Sequence, residues 1–224
     1  DFTKVEMNIR NDVCEKWNSE LIWGLTSEGN PNYWLQLYAI PQLVADPINL
    51  SLKGKLAPPL KMAEMFYTGN GVPIDEDKTW DYAHRYDLRT VTSMDSGMQN
   101  GYQTIGLHFN RERRFYADMA FDGSTWFMKN GNYNIQSKLE QYTGKKQSRL
   151  YSVTGYYTKK VVNWNLVYTG TSVTVEAYPW PVMRLADLYL LYAEALNETG
   201  DQAGALAYIN PIRARAGLNS VESA

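Results

Sequence analysis

The sequence predicts a mainly α-helical fold with irregular loops and small β-hairpins. First, apolar residues recur at spacings of three and four over 182–218, which is typical of two helices joined by a tight Gly-Asp turn. Second, residues 41–60 hold four prolines, which favours a loop. Third, short apolar runs such as 19–26 are bounded by turn residues, which is typical of short strands.

The first half of the chain is predicted to alternate short helices, strands and loops. Val5, Ile9 and Val13 share one side of the first helix. The hydrophobic period at 33–40 fits either a strand or a short helix, so both stay open. In chain order we expect a helix at 3–17, a strand at 19–26, a turn at 29–32, a strand or short helix at 33–40, a loop at 41–60 and a short amphipathic helix at 61–67.

The second half is predicted to contain a β-hairpin ahead of the helix pair. An alternating apolar pattern at 115–121 predicts a strand, and Asp122-Gly123 predicts a tight turn that returns the chain as a partner strand at 125–128. We further expect a polar, aromatic helix at 80–90, a turn at 130–134, irregular strands or long loops at 149–177 and extended chain at 179–181.

The helix pair at 182–218 has well-marked ends. Gly200 suits a left-handed cap of the first helix, and Asp201 can cap the second. Pro211 removes a backbone donor, which predicts either a kink or a restart with Asn210 as the N-cap. The predicted apolar stripes are Leu185, Leu188, Tyr189, Tyr192, Ala195 and Leu196, and then Ala205, Leu206, Ile209, Ile212 and Ala216. The pair resembles one tetratricopeptide unit, which must pack on another element to bury its face.

Composition excludes several classes of protein. Hydrophobic residues make up 44% of the chain and the formal net charge is −2, so the chain is globular and gives no reason to expect nucleic-acid binding. No run of about 18 apolar residues is present that could span a bilayer. The one cysteine, Cys14, excludes an intramolecular disulfide and is expected to be a buried small hydrophobe.

Motifs for catalysis, nucleotide binding and metal binding are missing from the sequence. Neither His84 nor His108 has partners at metal-ligand spacing, and no nucleophile elbow, phosphate loop or dinucleotide fingerprint occurs. We therefore predict no catalytic residue, no metal and no cofactor. The acidic segment 75–77 is expected to be a solvated loop rather than a calcium site. We expect carboxylate partners for three clustered arginines, Arg111, Arg113 and Arg114.

Aromatic residues are numerous, with 7 Trp and 17 Tyr. A sugar ring has an apolar C–H face that stacks on Trp or Tyr, while neighbouring polar side chains bond its hydroxyl groups. The segment 29–34, GNPNYW, offers both kinds of group beside a turn. The candidate ligand-binding residues are Asn30, Asn32, Tyr33, Trp34, Trp80, Trp126 and Tyr133. Core packing is the alternative for each ring.

Four segments, in order, resemble the SusD/RagB family. The longest is PWPVMRLADLYLLYAEALNETGDQAGALAYINPIRARAGL at 179–218, and three others are KMAEMFYTGNGVPID at 61–75, RERRFYADMAFDG at 111–123 and TGYYTKK at 154–160. Two residues depart from the family pattern: Arg113 replaces a proline, and Pro211 interrupts the second helix. The matching residues of the helix pair are Arg184, Leu185, Ala186, Tyr189, Tyr192, Ala193, Glu194, Asn197, Asn210, Arg213, Arg215, Ala216 and Gly217.

The resemblance implies a SusD-like fold in which 1–224 is the C-terminal part of a longer protein and 182–218 is a tetratricopeptide-like unit. It implies a non-catalytic, surface-exposed lipoprotein of the bacterial outer membrane. Such a protein captures a glycan and passes it to a SusC-like TonB-dependent transporter. Membrane contact is then made only through an N-terminal lipid anchor that is absent from this chain. Four residues are expected to form a polar network in the scaffold: Arg184, Glu194, Arg213 and Arg215.

Three alternative functions stay open beside glycan uptake. The first is uptake of peptides by a RagB-like protein. The second is a glycoside hydrolase or its accessory domain, which requires a pair of facing carboxylates that the sequence does not single out. The third is a helical-repeat adaptor for a protein partner.

Overall fold

The computed structural model describes residues 2–26, 32–144 and 149–223. Its α-helices are α1 (Phe2–Cys14), α2 (Tyr33–Ala39), α3 (Leu60–Met65), α4 (Arg113–Asp118), α5 (Leu185–Glu198) and α6 (Gln202–Arg215). Short 3₁₀ turns occur at Gly106–His108 and Val221–Ser223. Within the described ranges, no helix combines the length and apolar character needed to cross a bilayer.

The described strands are short and pair two by two. They are β1 (Leu21–Leu25), β2 (Leu88–Thr90), β3 (Gln103–Ile105), β4 (Met119–Ala120), β5 (Thr125–Met128), β6 (Gly131–Asn134), β7 (Tyr157–Thr158), β8 (Val167–Tyr168), β9 (Val173–Thr174) and β10 (Trp180–Arg184). The antiparallel pairs are β1–β10, β2–β3, β4–β7, β5–β6 and β8–β9. The predicted mainly α-helical fold with small β-hairpins is confirmed.

The described residues form two large hydrophobic cores and a small third cluster of Val13, Cys14 and Tyr178. The first core surrounds Trp126 and Tyr157 and takes Leu37 and Ile40 from the region of α2. The second core is built on α4, and its central members are Phe109, Phe115, Phe121 and Leu107. Because α4 leads directly into β4, and β4 pairs with β7, the two cores share one stretch of backbone.

Helix α1 is tied to the cores by buried polar side chains. The Arg10 guanidinium donates to the carbonyls of Phe127 (2.8 Å) and Val162 (3.2 Å). Cys14 is buried, as predicted, and its thiol donates to the carbonyl of Lys160 at 3.0 Å. Burial raises the pKa of Cys14 to about 12, which makes it a poor nucleophile.

The helix pair α5–α6 has the predicted caps. Gly200 has φ of +88°, and the Asp201 carboxylate accepts from the backbone N–H of Gly204 at 2.9 Å. Helix α6 continues through Pro211, so the restart with Asn210 as N-cap is wrong. The side chain of Asn210 instead donates to the carboxylate of Glu222 at 3.0 Å, outside the helix.

The predicted apolar stripe of α5 is wrong, because none of its six residues is buried. The buried residues of α5 are Ala186 and Ala193 instead, and Tyr192 of the predicted stripe contacts Tyr208 of α6 edge to face with ring centroids 4.8 Å apart. Several larger side chains along the same helix are exposed: Leu188, Leu190, Leu191 and Tyr192. The small Ala186 and Ala193 are thus buried, while the larger Leu188, Leu190 and Leu191 face outward.

The predicted helix at 80–90 and the predicted strand at 115–121 are wrong. Residues 80–90 form successive turns followed by β2, because side chains such as Asp81, which accepts from the His84 N–H at 3.3 Å, compete with helix formation. Residues 115–121 are the end of α4 followed by β4. The period-two pattern misled there because Phe115, Tyr116 and Ala117 are all buried.

The predicted hairpin at 115–128 is replaced by another one. Strand β5 pairs with β6, with Trp126 opposite Tyr133, so the predicted turn at 130–134 is a strand. The turn lies at residues 129–130 instead. The partner of β4 is β7, which comes from the segment predicted to be irregular.

Candidate functional site

The exposed face of α2 carries two aromatic rings. Trp34 is 63% exposed and Tyr38 is 39% exposed, and their spacing of four residues places them on the same side of the helix. The Tyr33 ring packs edge-on against Trp34, with centroids 5.3 Å apart. The Lys55 ammonium lies 5.9 Å from the centroid of the Tyr38 ring. We refer to Trp34, Tyr38 and Lys55 as the α2 platform.

The opposite face of α2 is fixed by buried amide groups. Asn32 donates to the carbonyl of Tyr178 at 2.7 Å, and Gln36 donates to the Asn32 side-chain oxygen at 3.1 Å. Gln36 also accepts from the backbone N–H of Asn163 at 3.0 Å. Asn32 is 3% exposed and its amide is used by the scaffold, so it is a positioning residue and not a ligand contact. Asn30 lies outside the described residues.

One candidate ring, Trp126, belongs to the first core, and another, Tyr133, packs against it. Trp126 is fully buried and offers no face to a ligand, so its selection as a platform residue is wrong and the core-packing alternative is correct for it. Tyr133 is half-buried and packs edge-on against Tyr168 with centroids 5.6 Å apart. Trp126 of β5 stands opposite Tyr133 of β6, so both residues belong to the β5–β6 hairpin. This hairpin is distant from α2 in the sequence.

Trp80 lies between two adjoining surface cavities. It is half-buried, and its indole N–H donates to the carbonyl of Phe109 at 3.0 Å. The larger cavity has a volume of about 510 Å³ and the smaller about 320 Å³, and both are lined by Thr79, Trp80 and Asn110. Trp80 is therefore the second predicted ring that remains accessible beside polar groups.

The loop before Trp80 is held by a network around Asp77. The Asp77 carboxylate accepts from the hydroxyls of Thr68 (2.6 Å) and Thr79 (2.7 Å) and from the amide of Asn70 (2.9 Å). Desolvation opposes ionisation, but these hydrogen bonds outweigh it and lower the pKa of Asp77 to about 2. Asp77, which was predicted to lie in a solvated loop at 75–77, therefore holds that loop in place through its hydrogen bonds.

The clustered arginines have separate roles. Arg111 is buried and donates to the carbonyls of Leu107, Ala63 and Phe66, at 2.7, 2.7 and 2.6 Å, so a carboxylate partner was wrongly predicted for it. Burial lowers the pKa of Arg111 to about 10. Arg114 does pair with Glu112, at 2.5 Å, as predicted. Arg113 instead lies on the ring of Phe2 with its guanidinium 4.2 Å from the centroid.

The predicted network of Arg184, Glu194, Arg213 and Arg215 does not form as one unit. Arg215 pairs with Asp12 (3.2 Å) and Glu20 (2.5 Å), which ties α6 to α1 and to the start of β1. Arg184 pairs with Asp187 at 3.3 Å and caps α5, while Glu194 is exposed. The described residues contain no cluster of three or more His, Cys, Asp or Glu side chains that could hold a metal ion.

Sequence reasoning missed Tyr38 and Lys55 at the α2 platform. The signal for Tyr38 was its spacing of four from Trp34, which is informative only once 33–40 is assigned as a helix. Lys55 lies within the proline-containing loop predicted at 41–60, where no periodic signal marks a side chain. At the cavities, Arg89 and Asn110 were also missed, because only the folded chain brings them to Trp80. Arg89 is placed by the pairing of β2 with β3, and Asn110 follows Phe109, whose carbonyl accepts from the Trp80 indole.

Comparison with known proteins gives a consistent assignment. The sequence model of the SusD family matches residues 19–224. The structure of BT4246 is similar with a TM-score of 0.79 at 29% identity, covering 98% of this chain and 37% of that one. A SusD-like protein (BF3747) from Bacteroides fragilis NCTC 9343 has a similar fold, with a TM-score of 0.66 at 24% identity, over 95% of this chain and 39% of that one. This chain thus spans less than half the length of these structures. No curated protein matches significantly.

Proposed function

Because the chain belongs to the SusD family, we propose that it is part of a surface glycan-binding protein that captures an oligosaccharide or polysaccharide for import. In this proposal the ligand is passed to a SusC-like TonB-dependent transporter. The protein works without catalysis at the outer-membrane surface, where a lipid anchor holds it.

The observation that carries the proposal is the exposure of Trp34 on a rigid helix. Trp34 is 63% exposed and Tyr38, one helical turn away, is 39% exposed, so the two rings form a contiguous aromatic surface of the kind that ligands and partners cover. The buried contacts of Asn32 and Gln36 fix the helix beneath it. A ring held in this way loses little conformational entropy when a sugar stacks on it.

The neighbours of Trp34 suit a carbohydrate. Tyr38 adds a second ring one helical turn away, so a chain of sugar units can contact both. The Tyr38 hydroxyl and the Lys55 ammonium can bond sugar hydroxyl groups. The α2 platform supplies stacking surface and a cation, and not the paired carboxylates that glycoside hydrolysis needs. These properties support binding without cleavage.

A binding screen tests the proposal. The chain should bind at least one polysaccharide in a panel measured by affinity electrophoresis or calorimetry, and Trp34→Ala should weaken that binding at least about tenfold, as for an aromatic hot spot. Trp17→Ala is the matched control, because Trp17 is 62% exposed but lies away from α2 in the sequence. Equal binding by both variants would place the ligand elsewhere. Binding of peptides alone, or release of reducing ends, would support the alternative functions.

A further inference from the structure

The smaller cavity beside Trp80 has the size and the walls of a ligand site. Its volume of about 320 Å³ falls in the range of roughly 300–1,000 Å³ that small-molecule pockets occupy. One wall is the ring of Trp80, and Arg89 and Asn110 contribute to the others. None of these residues belongs to the α2 platform.

Phe109 positions two walls of the cavity. Its backbone carbonyl accepts from the Trp80 indole at 3.0 Å, and its ring lies under the Arg89 guanidinium at 4.4 Å. Phe109 itself is 1% exposed and belongs to the second core. Strand β2 further fixes Arg89, which stands opposite Thr104 of β3. The ring and the guanidinium are thus held by the same buried residue, which is the preorganisation that a binding site requires.

The polar groups of the cavity have unused hydrogen-bonding capacity. Among the described residues, the Asn110 side chain makes no hydrogen bond, and Arg89 makes neither a hydrogen bond nor an ion pair within 4 Å. Asn110 has φ of +53°, and its backbone carbonyl accepts from the N–H of Gly69 at 2.7 Å. Its left-handed backbone is therefore anchored while its amide stays open to a ligand.

Two basic side chains, Arg89 and His84, line the cavity beside one carboxylate, Asp81, whose pKa is lowered mainly by His84 and also by the charge of Arg89. The one carboxylate that lines it, Asp81, is engaged by His84, whose Nδ1 lies 2.8 Å from Asp81 Oδ1. This hydrogen bond raises the pKa of His84 and lowers that of Asp81. The Arg89 guanidinium keeps its planar set of donors free, and a carboxylate is the group that matches this geometry with two parallel hydrogen bonds.

We propose that the cavity walled by Trp80, Arg89 and Asn110 binds a uronic acid, a sugar ring that bears a carboxylate. The ring stacks on Trp80, the carboxylate bonds Arg89, and the Asn110 amide bonds a ring hydroxyl group. This site does not depend on the α2 platform.

Titration with single sugars tests the site. Sodium glucuronate, followed by NMR chemical shifts of the labelled chain, should bind at least about tenfold more tightly than glucose, because a hydrogen-bonded charge pair is worth more than a neutral contact. Arg89→Gln should remove this preference, and Asn110→Gly, which keeps the positive φ allowed, should weaken both sugars. Arg149→Gln is the matched control at another exposed arginine. Glucose and glucuronate binding alike, or unchanged preference in Arg89→Gln, would overturn the proposal.

The Trp34→Ala variant separates this site from the α2 platform. If the cavity binds the uronic acid, glucuronate shifts persist in Trp34→Ala and centre on Trp80 and its neighbours. If glucuronate binding is lost in Trp34→Ala and kept in Arg89→Gln, the sugar sits on the α2 platform; the cavity proposal then fails while the proposed function stands. Thermal unfolding of each variant shows that the fold is retained, as expected for the exposed Arg89 and Asn110.

Discussion

Trp34 and Tyr38 stand four residues apart on α2, and both rings are exposed on the side opposite the buried Gln36. The relationship is a consequence of helical geometry: residues i and i+4 share a face, so one turn of helix presents two rings. Since the buried side of α2 is fixed by amide hydrogen bonds, the two rings form a surface of defined spacing.

Replacement of Tyr38 tests whether the second ring takes part in binding. Tyr38→Ala should weaken glycan binding by roughly 1 kcal/mol or more, since a stacking ring is removed. Tyr38→Phe should keep most of the affinity if ring stacking dominates the contact. It should lose affinity if a hydrogen bond from the Tyr38 hydroxyl dominates instead. Calorimetric titration of both variants measures this. Wild-type affinity in Tyr38→Ala would exclude the ring from the site.

The two tryptophans of the candidate set should differ sharply in their effect on stability. Trp126→Ala should lower the free energy of unfolding by about 3–5 kcal/mol, because it leaves a cavity in the first core. Trp34→Ala should change it by less than about 0.5 kcal/mol, because the ring is mostly in water. Urea denaturation compares the two. A large loss of stability in Trp34→Ala would identify Trp34 as a packing residue and remove it from the platform.

The contrast between these two rings shows where sequence reasoning reached its limit. The helix pair, its Gly200 and Asp201 caps and the buried Cys14 followed from local rules, because caps and periodicity act over a few residues. The exposure of Trp34 and the burial of Trp126 depend on contacts distant in sequence, such as Asn32 with Tyr178. The same holds for residues 115–121, whose apolar pattern fits a strand until both faces are known to be buried.

The buried His108 should make stability depend on pH. Burial, reinforced by the charge of Arg111, lowers the pKa of His108 well below 6.5. Below about pH 6.5 the unfolded chain therefore takes up a proton that the folded chain refuses. The neutral His108 therefore contributes fully to the free energy of unfolding above about pH 6.5. As the pH drops toward the folded pKa, this contribution falls by at most about 1.4 kcal/mol per pH unit.

Unfolding in urea at about pH 7.5 and about pH 5.5 measures this dependence. His108→Gln should be less stable than the parent at the higher pH, because its hydrogen bonds to Thr104 and Tyr156 are disturbed, and its pH dependence should be flatter. The comparison of variants is needed because burial raises the pKa of Asp12 to about 6, in the same range. Equal slopes in the parent and His108→Gln would contradict the assignment.

The Asp77 network should control the position of Trp80. Asp77→Ala removes the acceptor for Thr68, Asn70 and Thr79, and should lower the free energy of unfolding by roughly 1–3 kcal/mol. Trp80 should become more exposed, seen as stronger quenching of its fluorescence. Asp75→Ala is the control, because Asp75 is exposed and close in sequence.

The ionisation of Asp77 gives an additional check. The pKa of Asp77 is about 2 in the folded chain, below the ordinary value of 3.8. The ionised carboxylate therefore adds to the free energy of unfolding above pH 3.8, and this stabilisation is lost as the pH falls toward 2. Asp77→Ala should therefore lack that part of the acid-induced loss of stability. An unchanged acid transition would show that the carboxylate is not held as described.

The most direct measurement is the response of the indole N–H resonances of a ¹⁵N-tryptophan-labelled chain to a glycan that it binds. If the α2 platform is the binding surface, the Trp34 resonance shifts on titration, while those of the equally exposed Trp17 and the buried Trp126 stay in place. A titration that shifts Trp17 or the other exposed tryptophans and leaves Trp34 unchanged would contradict the account.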